Sequence, residues 1–314
     1  MKVHHENASS FNIKNPVLTL GTFDGVHKGH QAIIQRLNEQ AREIGGESVV
    51  LTFNPHPRIV LNPDDHGLEL IQPIEKRINE LSNMGVDHLI LFPFTMEFSR
   101  TTALDFVRRV LVNQINVHTL NIGYDHHFGR NREGNIELMK NLSEVYDFKV
   151  EETSALEVDG IKISSTKIRK AIKEGRIKEA NSFLSRTFSI EGRVETGKGL
   201  GKNLGYPTAN LKIFAPYQLT PTDGVYAVMV KVNGGMHQGI MNIGTTPTVS
   251  DGENRTYEVH ILDYEENLYG KVVEVFFVEK IRNEMKFDSV EALIDQIKKD
   301  EVKARNILVS EFIG

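Results

Sequence analysis

In the first half of the chain, unbroken apolar runs alternate with stretches where apolar residues return every three or four positions. Val17–Leu20, Val49–Phe53, LILFPF at 89–94 and VHTLNIG at 117–123 read as strands. Ile33, Ile34, Leu37, Ala41 and Ile44 recur at helical spacing, and Gly45-Gly46 ends that helix. Ile74, Ile78 and Leu81 mark a second helix, and Phe106, Val107, Val110 and Leu111 a third. A further helix is expected around 134–145. Strands alternating with helices imply βαβ units and a parallel sheet, whose ligands bind beyond the carboxyl ends of the strands. Unusual polar segments fall at those ends, at 21–30, 54–58 and 123–133.

The pattern changes near 184–190. Short β-rich runs take over: FSIEGRV, GVYAVMVKV, HQGIMNI, TYEVHIL and VVEVFFVEKI. Asn233-Gly234 is a hairpin signal between two of them. This spacing predicts a small antiparallel barrel or sandwich. The chain closes with a helix, which Asp288 or Ser289 can cap and to which Glu291 adds a capping box with Asp288. The expected division is into residues 1–184 and 185–314, joined without a low-complexity linker. The first 15 residues carry no readable motif.

Composition narrows the function classes. The 314 residues are 39% hydrophobic and 25% charged, which suits one or two soluble cores. A net charge of −5 gives no reason to expect a nucleic-acid partner. The absence of cysteine excludes disulfides, thiolate metal sites and cysteine nucleophiles. No signal-peptide pattern and no membrane-length apolar run is visible, so no membrane partner and a cytoplasmic location are expected.

The densest chemistry lies in LTLGTFDGVHKGHQAII, residues 18–34. Gly21, Gly25 and Gly29 permit tight turns and close approach of a ligand to the backbone. A helix N-terminus there suits phosphate, and His27 and His30, three apart, can point the same way. The segment lacks GxxxxGK[ST], so it is not a P-loop. GTFDGVHKGH resembles the HxGH signature of the α/β nucleotidylyltransferase superfamily. With Phe23-Asp24-Gly25-Val26 it is similar to the adenylyltransferase half of bacterial bifunctional riboflavin kinase/FAD synthetases.

The resemblance implies a Rossmann-like adenylyltransferase domain in which His27 and His30 are catalytic. They would hold the ATP phosphates as the α-phosphate is attacked, with Gly21, Phe23, Asp24 and Gly29 around them. FNPHP at 53–57 matches a second motif and implies Asn54 and His56 in the ATP site. IGYDHHFGRNREGN at 122–135 matches a third, implying Tyr124 and Phe128 in the flavin or nucleotide pocket. ISSTKIRKAIKEG at 163–175 matches a fourth. Hydroxyls at such a helix start either cap it or bind phosphate; the resemblance assigns Ser165, Thr166 and Arg169 to the ATP phosphates.

In the second half, GRVETGKGLGKNLGYPTANL at 192–211 combines a glycine-rich loop with lysines, a makeup that can wrap phosphate. Thr208 and Asn210 offer neutral oxygens suited to Mg²⁺ bound jointly with phosphates. The stretch closely resembles the riboflavin kinase signature around PTAN. This implies a kinase barrel with Gly197, Lys198, Gly199, Lys202 and Gly205 at ATP and Thr208 and Asn210 at the metal. In TYEVHILD, alternation puts Glu258 and His260 on one strand face. Taken alone Glu258 is an ordinary solvated residue; the resemblance makes it the catalytic carboxylate. Arg282, Glu284 and Phe287 would lie near the flavin, while Thr246 departs from the arginine or asparagine common in relatives.

The matching segments run from about 17 to 297 in the family's order. They imply two reactions with Mg²⁺-ATP: riboflavin to FMN in the second domain and FMN to FAD in the first. Other readings are an HxGH transferase of different specificity with an accessory barrel, and a flavin-binding regulator without catalysis. PTAN with Glu258 argues against the first, and intact His27, His30, Thr208, Asn210 and Glu258 against the second.

Overall fold

Strands written as unbroken apolar runs need cover on both faces, which a parallel sheet flanked by helices supplies. The computed structural model, which describes residues 1–5, 10–62, 68–123, 127–153, 157–158, 161–196, 205–247 and 253–311, contains such a sheet. The chain divides into two units, Met1–Ser165 and Thr166–Gly314.

The first unit holds strands β1 (Lys2–His4), β2 (Val17–Leu20), β3 (Ser48–Asn54), β4 (His88–Pro93), β5 (Thr119–Gly123) and β6 (Lys149–Thr153). They pair in the order β1-β4-β3-β2-β5-β6, every pair parallel. Alternation sends neighbouring residues to opposite faces. Val17, Val50, Leu89 and Leu91 pack on one side against Ile34, Leu37 and Ala41 of helix α1 (Lys28–Glu43). Leu18, Leu20, Val49, Leu51 and Ile90 pack on the other.

Helix α2 (Pro57–Leu61) follows β3, and α3 (Ile74–Asn83) adds Leu81 to the α1 side. Helix α4 (Ala103–Phe106) runs on as a π-helix over Val107–Ile115. It packs with α5 (Ile136–Tyr146) on the opposite face. A two-stranded hairpin, β7 (Glu157–Val158) with β8 (Ile161–Lys162), precedes α6 (Ser165–Lys173).

Two strands of this six-stranded sheet escaped the hydrophobic pattern, and both stand at its edges. β1 has only three residues and adds to the edge of β4, where His4 Nε2 lies 3.0 Å from His88 Nδ1. β6 (KVEET) is a mostly exposed edge strand, which needs no apolar alternation.

In the second unit, α7 (Ile177–Leu184) leads into β9 (Phe188–Glu195), β10 (Ala209–Ile213), β11 (Gly224–Val232), β12 (Gly235–Pro247), β13 (Glu253–Ile261) and β14 (Val272–Arg282). These six close into an antiparallel barrel in the order β10-β13-β12-β11-β14-β9. A barrel, not a sandwich, forms because β9 pairs with both β10 and β14. Asn233-Gly234 turns β11 into β12 with both residues at positive φ.

Helix α8 (Val290–Glu311) closes the described chain, with Ser289 Oγ accepting the Ala292 N–H at 3.1 Å. Its Ala304 and Leu308 pack on Val225, Ala227 and Ile240 outside the barrel. Asp300, 4% exposed, pairs with Arg282 at 2.8 Å and accepts Gln296 Nε2–H at 2.9 Å. No helix among the described residues is long and apolar enough to cross a membrane.

Removing one partner of a buried ion pair leaves the other charge uncompensated, at a cost of about 3–5 kcal/mol. Asp300→Ala is therefore expected to destabilise the barrel unit by about 3 kcal/mol, read as a lowered midpoint in calorimetry. A midpoint equal to wild type would mean that Asp300 does not secure α8.

Candidate functional site

The loop from β2 to α1 is bent through two residues that rarely take such a backbone. Phe23 has φ +47° and Val26, which is β-branched, φ +37°. Conformations of this kind cost of order 1–3 kcal/mol each and persist only where the surroundings enforce them. Here the enforcement is visible. Arg77 Nη1 donates to Thr22 O at 2.8 Å, Ser165 Oγ to Asp24 O at 2.8 Å, and Gln31 Nε2 to Val26 O at 2.9 Å. Asp24, 1% exposed, accepts the backbone N–H groups of Ile71 and Gln72 at 3.2 and 3.3 Å. Gly25 sits at φ +89°, where a Cβ would come within 3.0 Å of Ile71.

This loop delivers His27 to the N-cap of α1. Its Nδ1 accepts the His30 N–H at 3.3 Å, which puts the proton of a neutral ring on Nε2. The two imidazoles stack with centroids 3.7 Å apart, and Phe23 lies 5.0 Å from His30. Gly29 leaves room for this stack, since a Cβ there would stand 3.2 Å from the His27 ring. The first turn of α1 has no acidic residue. It thus offers ring N–H groups and the positive end of a helix dipole to an anion.

His30 also lines a cavity of about 740 Å³ at the carboxyl ends of the strands. Phe23, Phe53, Phe94, Phe98, Phe106 and Phe128 form much of its wall, and Gly21 contributes backbone. Exposed Arg100, His127 and Arg130 stand among the lining residues. Size and lining suit a planar aromatic ligand with an anionic tail.

Of the other expected residues, Asn54 is the exposed last residue of β3. His56 caps α2 through Nδ1, which accepts the Arg58 N–H at 3.2 Å. Ser165 is tied to the histidine loop, whereas Thr166 and Arg169 lie on α6 beyond the division of the chain. Tyr124 lies outside the described residues.

The second candidate site grows from barrel register. Asn210 of β10 pairs with Glu258 of β13, which pairs in turn with Asn242 of β12. Paired residues in an antiparallel ladder share a face with Cβ atoms about 5 Å apart. These three polar side chains therefore form one row. The next rung of the alternate row, Val259 with Met241, is buried in the barrel interior, so the polar row faces outward. Glu284 joins it: its carboxyl packs on Gly244, two residues along β12 from Asn242. His260 Nδ1 lies 2.8 Å from Pro207 O, anchoring the segment that carries Thr208.

Arg282 is held by Asp300 and stands 5.8 Å from the Phe287 ring centroid. Gly205, at φ +82°, is exposed; Gly197, Lys198, Gly199 and Lys202 lie outside the described residues. Thr246 lies in β12 opposite Asn254. On the other face of β13, Arg255 binds Asp223 at 2.8 Å. Burial works against the Asp223 charge, but hydrogen bonds from Arg255 and Thr245 outweigh it and hold the carboxyl below its ordinary range.

Sequence reasoning missed Arg77, the rings from Phe53, Phe94 and Phe98, and Asn242. Arg77 had a signal, being a charge on the apolar stripe of Ile74, Ile78 and Leu81. The phenylalanines and Asn242 had none, because only tertiary pairing brings them to a site.

Residues 10–167 match the family model for FAD synthetase, and residues 184–308 the model for riboflavin kinase. A bifunctional riboflavin kinase/FMN adenylyltransferase from Listeria monocytogenes is 37% identical over 93% of this chain and 92% of its own length. The protein of that name from Escherichia coli K12 is 38% identical over 95% and 93%. A crystal structure named as a macrolide-efflux protein from Streptococcus pneumoniae superposes with a TM-score of 0.89. It is 34% identical and covers 98% of this chain and 99% of that one. With both models matched in this order and relatives aligned almost end to end, the chain belongs to the family of bifunctional riboflavin kinase/FMN adenylyltransferases.

Proposed function

We propose that the chain makes FAD from riboflavin in two steps at two separate sites. The barrel transfers the γ-phosphate of ATP to riboflavin, giving FMN and ADP. The parallel-sheet unit transfers AMP from a second ATP to FMN, giving FAD and pyrophosphate. The observation that carries this reading is the stacked imidazole pair at the start of α1, which opens through His30 onto an aromatic cavity. A triphosphate and a flavin ring each find a suitable surface there.

In the adenylyl transfer, an FMN phosphate oxygen attacks the α-phosphorus and the bond to the bridging oxygen breaks. Negative charge grows on the departing pyrophosphate, where the His27 Nε2–H and the amides of α1 can stabilise it. Asp24, Gly21, Phe23 and Gly29 shape this ATP site through the backbone. Asn54, His56 and Ser165 complete the proposed phosphate contacts within this unit, and Phe128 the flavin wall. In the kinase step, Glu258 accepts the proton of the ribityl 5′-hydroxyl as that oxygen attacks the γ-phosphorus. Glu284, Arg282 and Phe287 would border the flavin.

The donor set around Glu258 fits a hard cation, since Thr208 and Asn210 bring neutral oxygens. Among the described residues no group of three histidine or carboxylate side chains gathers as a resident metal site. Thr208 and Asn210 would hold Mg²⁺ jointly with ATP, where it offsets phosphate charge during transfer. We place the functional boundary at 184/185, supported by the kinase model's start at residue 184, and the protein in the cytoplasm.

His27→Ala should lower FAD formation from FMN by about 10²-fold or more while riboflavin phosphorylation keeps its wild-type rate. Glu258→Gln should lower riboflavin phosphorylation by about 10²–10⁴-fold and leave FAD formation intact when FMN is supplied. Chromatography of the three flavins after incubation with Mg²⁺-ATP reads both. Equal loss of the two activities in either variant would reject the two-site assignment.

A further inference from the structure

Arg77 is 2% exposed, and a guanidinium so buried must be matched by acceptors or a counter-charge. It lies on α3, on the same stripe as Ile74 and Leu81, and points inward with them. Its Nη1 donates to Thr22 O at 2.8 Å and its Nη2 to Gln72 O at 3.3 Å. The peptide of Gln72 is engaged on its other side too, because its N–H donates to Asp24. Arg77, Gln72, Asp24 and Thr22 therefore close a ring of contacts that ties residues 71–72 to the histidine loop. Thr22 immediately precedes Phe23, the first residue of this loop at positive φ. Burial disfavours the Arg77 charge, and the nearby carboxylates of Asp24 and Glu75 favour it.

We propose that Arg77 is a positioning residue for adenylyl transfer: by fixing the carbonyls of Thr22 and Gln72, it holds the loop that presents His27 and His30. This rests on the adenylyl-transfer reading of that loop. The guanidinium is matched to the task because one planar group reaches two carbonyls at once. An apolar side chain of similar length would fill the space and reach neither. Without the tie, Phe23 and Val26 can relax toward ordinary backbone, and α1 then starts from a different direction. Displacing a catalytic group by about 1 Å can cost on the order of 10²-fold in rate.

The two activities of one chain supply an internal control. Arg77→Met should lower kcat for FAD formation by about 10²-fold, with the KM for FMN within about two-fold of wild type. Riboflavin phosphorylation in the same preparation should be unchanged. Arg77→Lys, which keeps the charge and at least one donor, should recover most of the lost kcat. The imidazole proton resonances of His27 and His30 report the same placement without turnover: they should shift in Arg77→Met and return in Arg77→Lys.

Wild-type kcat in Arg77→Met, or unmoved imidazole resonances in that variant, would overturn the proposal. If Arg77→Met fails to fold, Arg77→Gln decides, since it stays polar for folding but is too short to reach the carbonyls of Thr22 and Gln72: reduced kcat with unchanged KM for FMN supports the role, and wild-type kcat refutes it. A wild-type chain that forms no FAD would instead reject the adenylyl-transfer reading, and the resonances would still judge Arg77.

Discussion

The buried carboxylate of Asp24 is the contact on which the histidine site depends. It accepts two backbone N–H groups from residues 71 and 72 and fixes a loop whose own conformational preferences oppose its shape. A hydrogen bond to a charged acceptor is worth more than a neutral one, and losing it inside a protein leaves orphaned donors. Two backbone strains of order 1–3 kcal/mol each can be sustained only by such compensation. Everything that follows in the chain, from the N-cap at His27 to the face of α1 that packs on the sheet, starts from that loop.

The barrel reaches a comparable result by a different route. There, among the described residues, no strained turn carries the candidate chemistry. Strand register does, since Asn210, Glu258 and Asn242 meet only because β10, β13 and β12 pair as they do. A slip of one residue would turn the row inward and bury a carboxylate among apolar side chains. Closure of the barrel, the apolar interior row of Val259 and Met241, and the α8 cover over Val225 and Ile240 all resist that slip.

Most of the fold was legible where burial left a period, although β10, ANLKI with alternating burial, is absent from the expected strands. Central strands of the sheet announced themselves because both faces are covered, and α1 because one face is. The edge strands β1 and β6 did not, for an edge exposed to water places no demand on sequence. Much of the histidine site was legible because a helix start, its glycines and its two imidazoles are local in the chain. The aromatic cavity was not, since Phe53, Phe94 and Phe98 come from separate segments whose meeting is a matter of topology. The placement of Asp24 is instructive: resemblance of the motif implies a place at ATP, while its side chain turns into the loop's own scaffold.

The sequence by itself therefore determined the central strands and their helices, the change from parallel to antiparallel architecture and the family, because periodicity and short motifs are written in neighbouring residues. Tertiary structure alone decided which side chain holds which carbonyl, that Arg77 reaches Thr22 and Gln72, and that Glu258 shares a row with two asparagines. The physical reason is that burial leaves a period in the sequence but does not name the partner: hydrogen bonding and strand pairing join residues tens of positions or more apart, and which residue meets which is not written in the spacing of their neighbours.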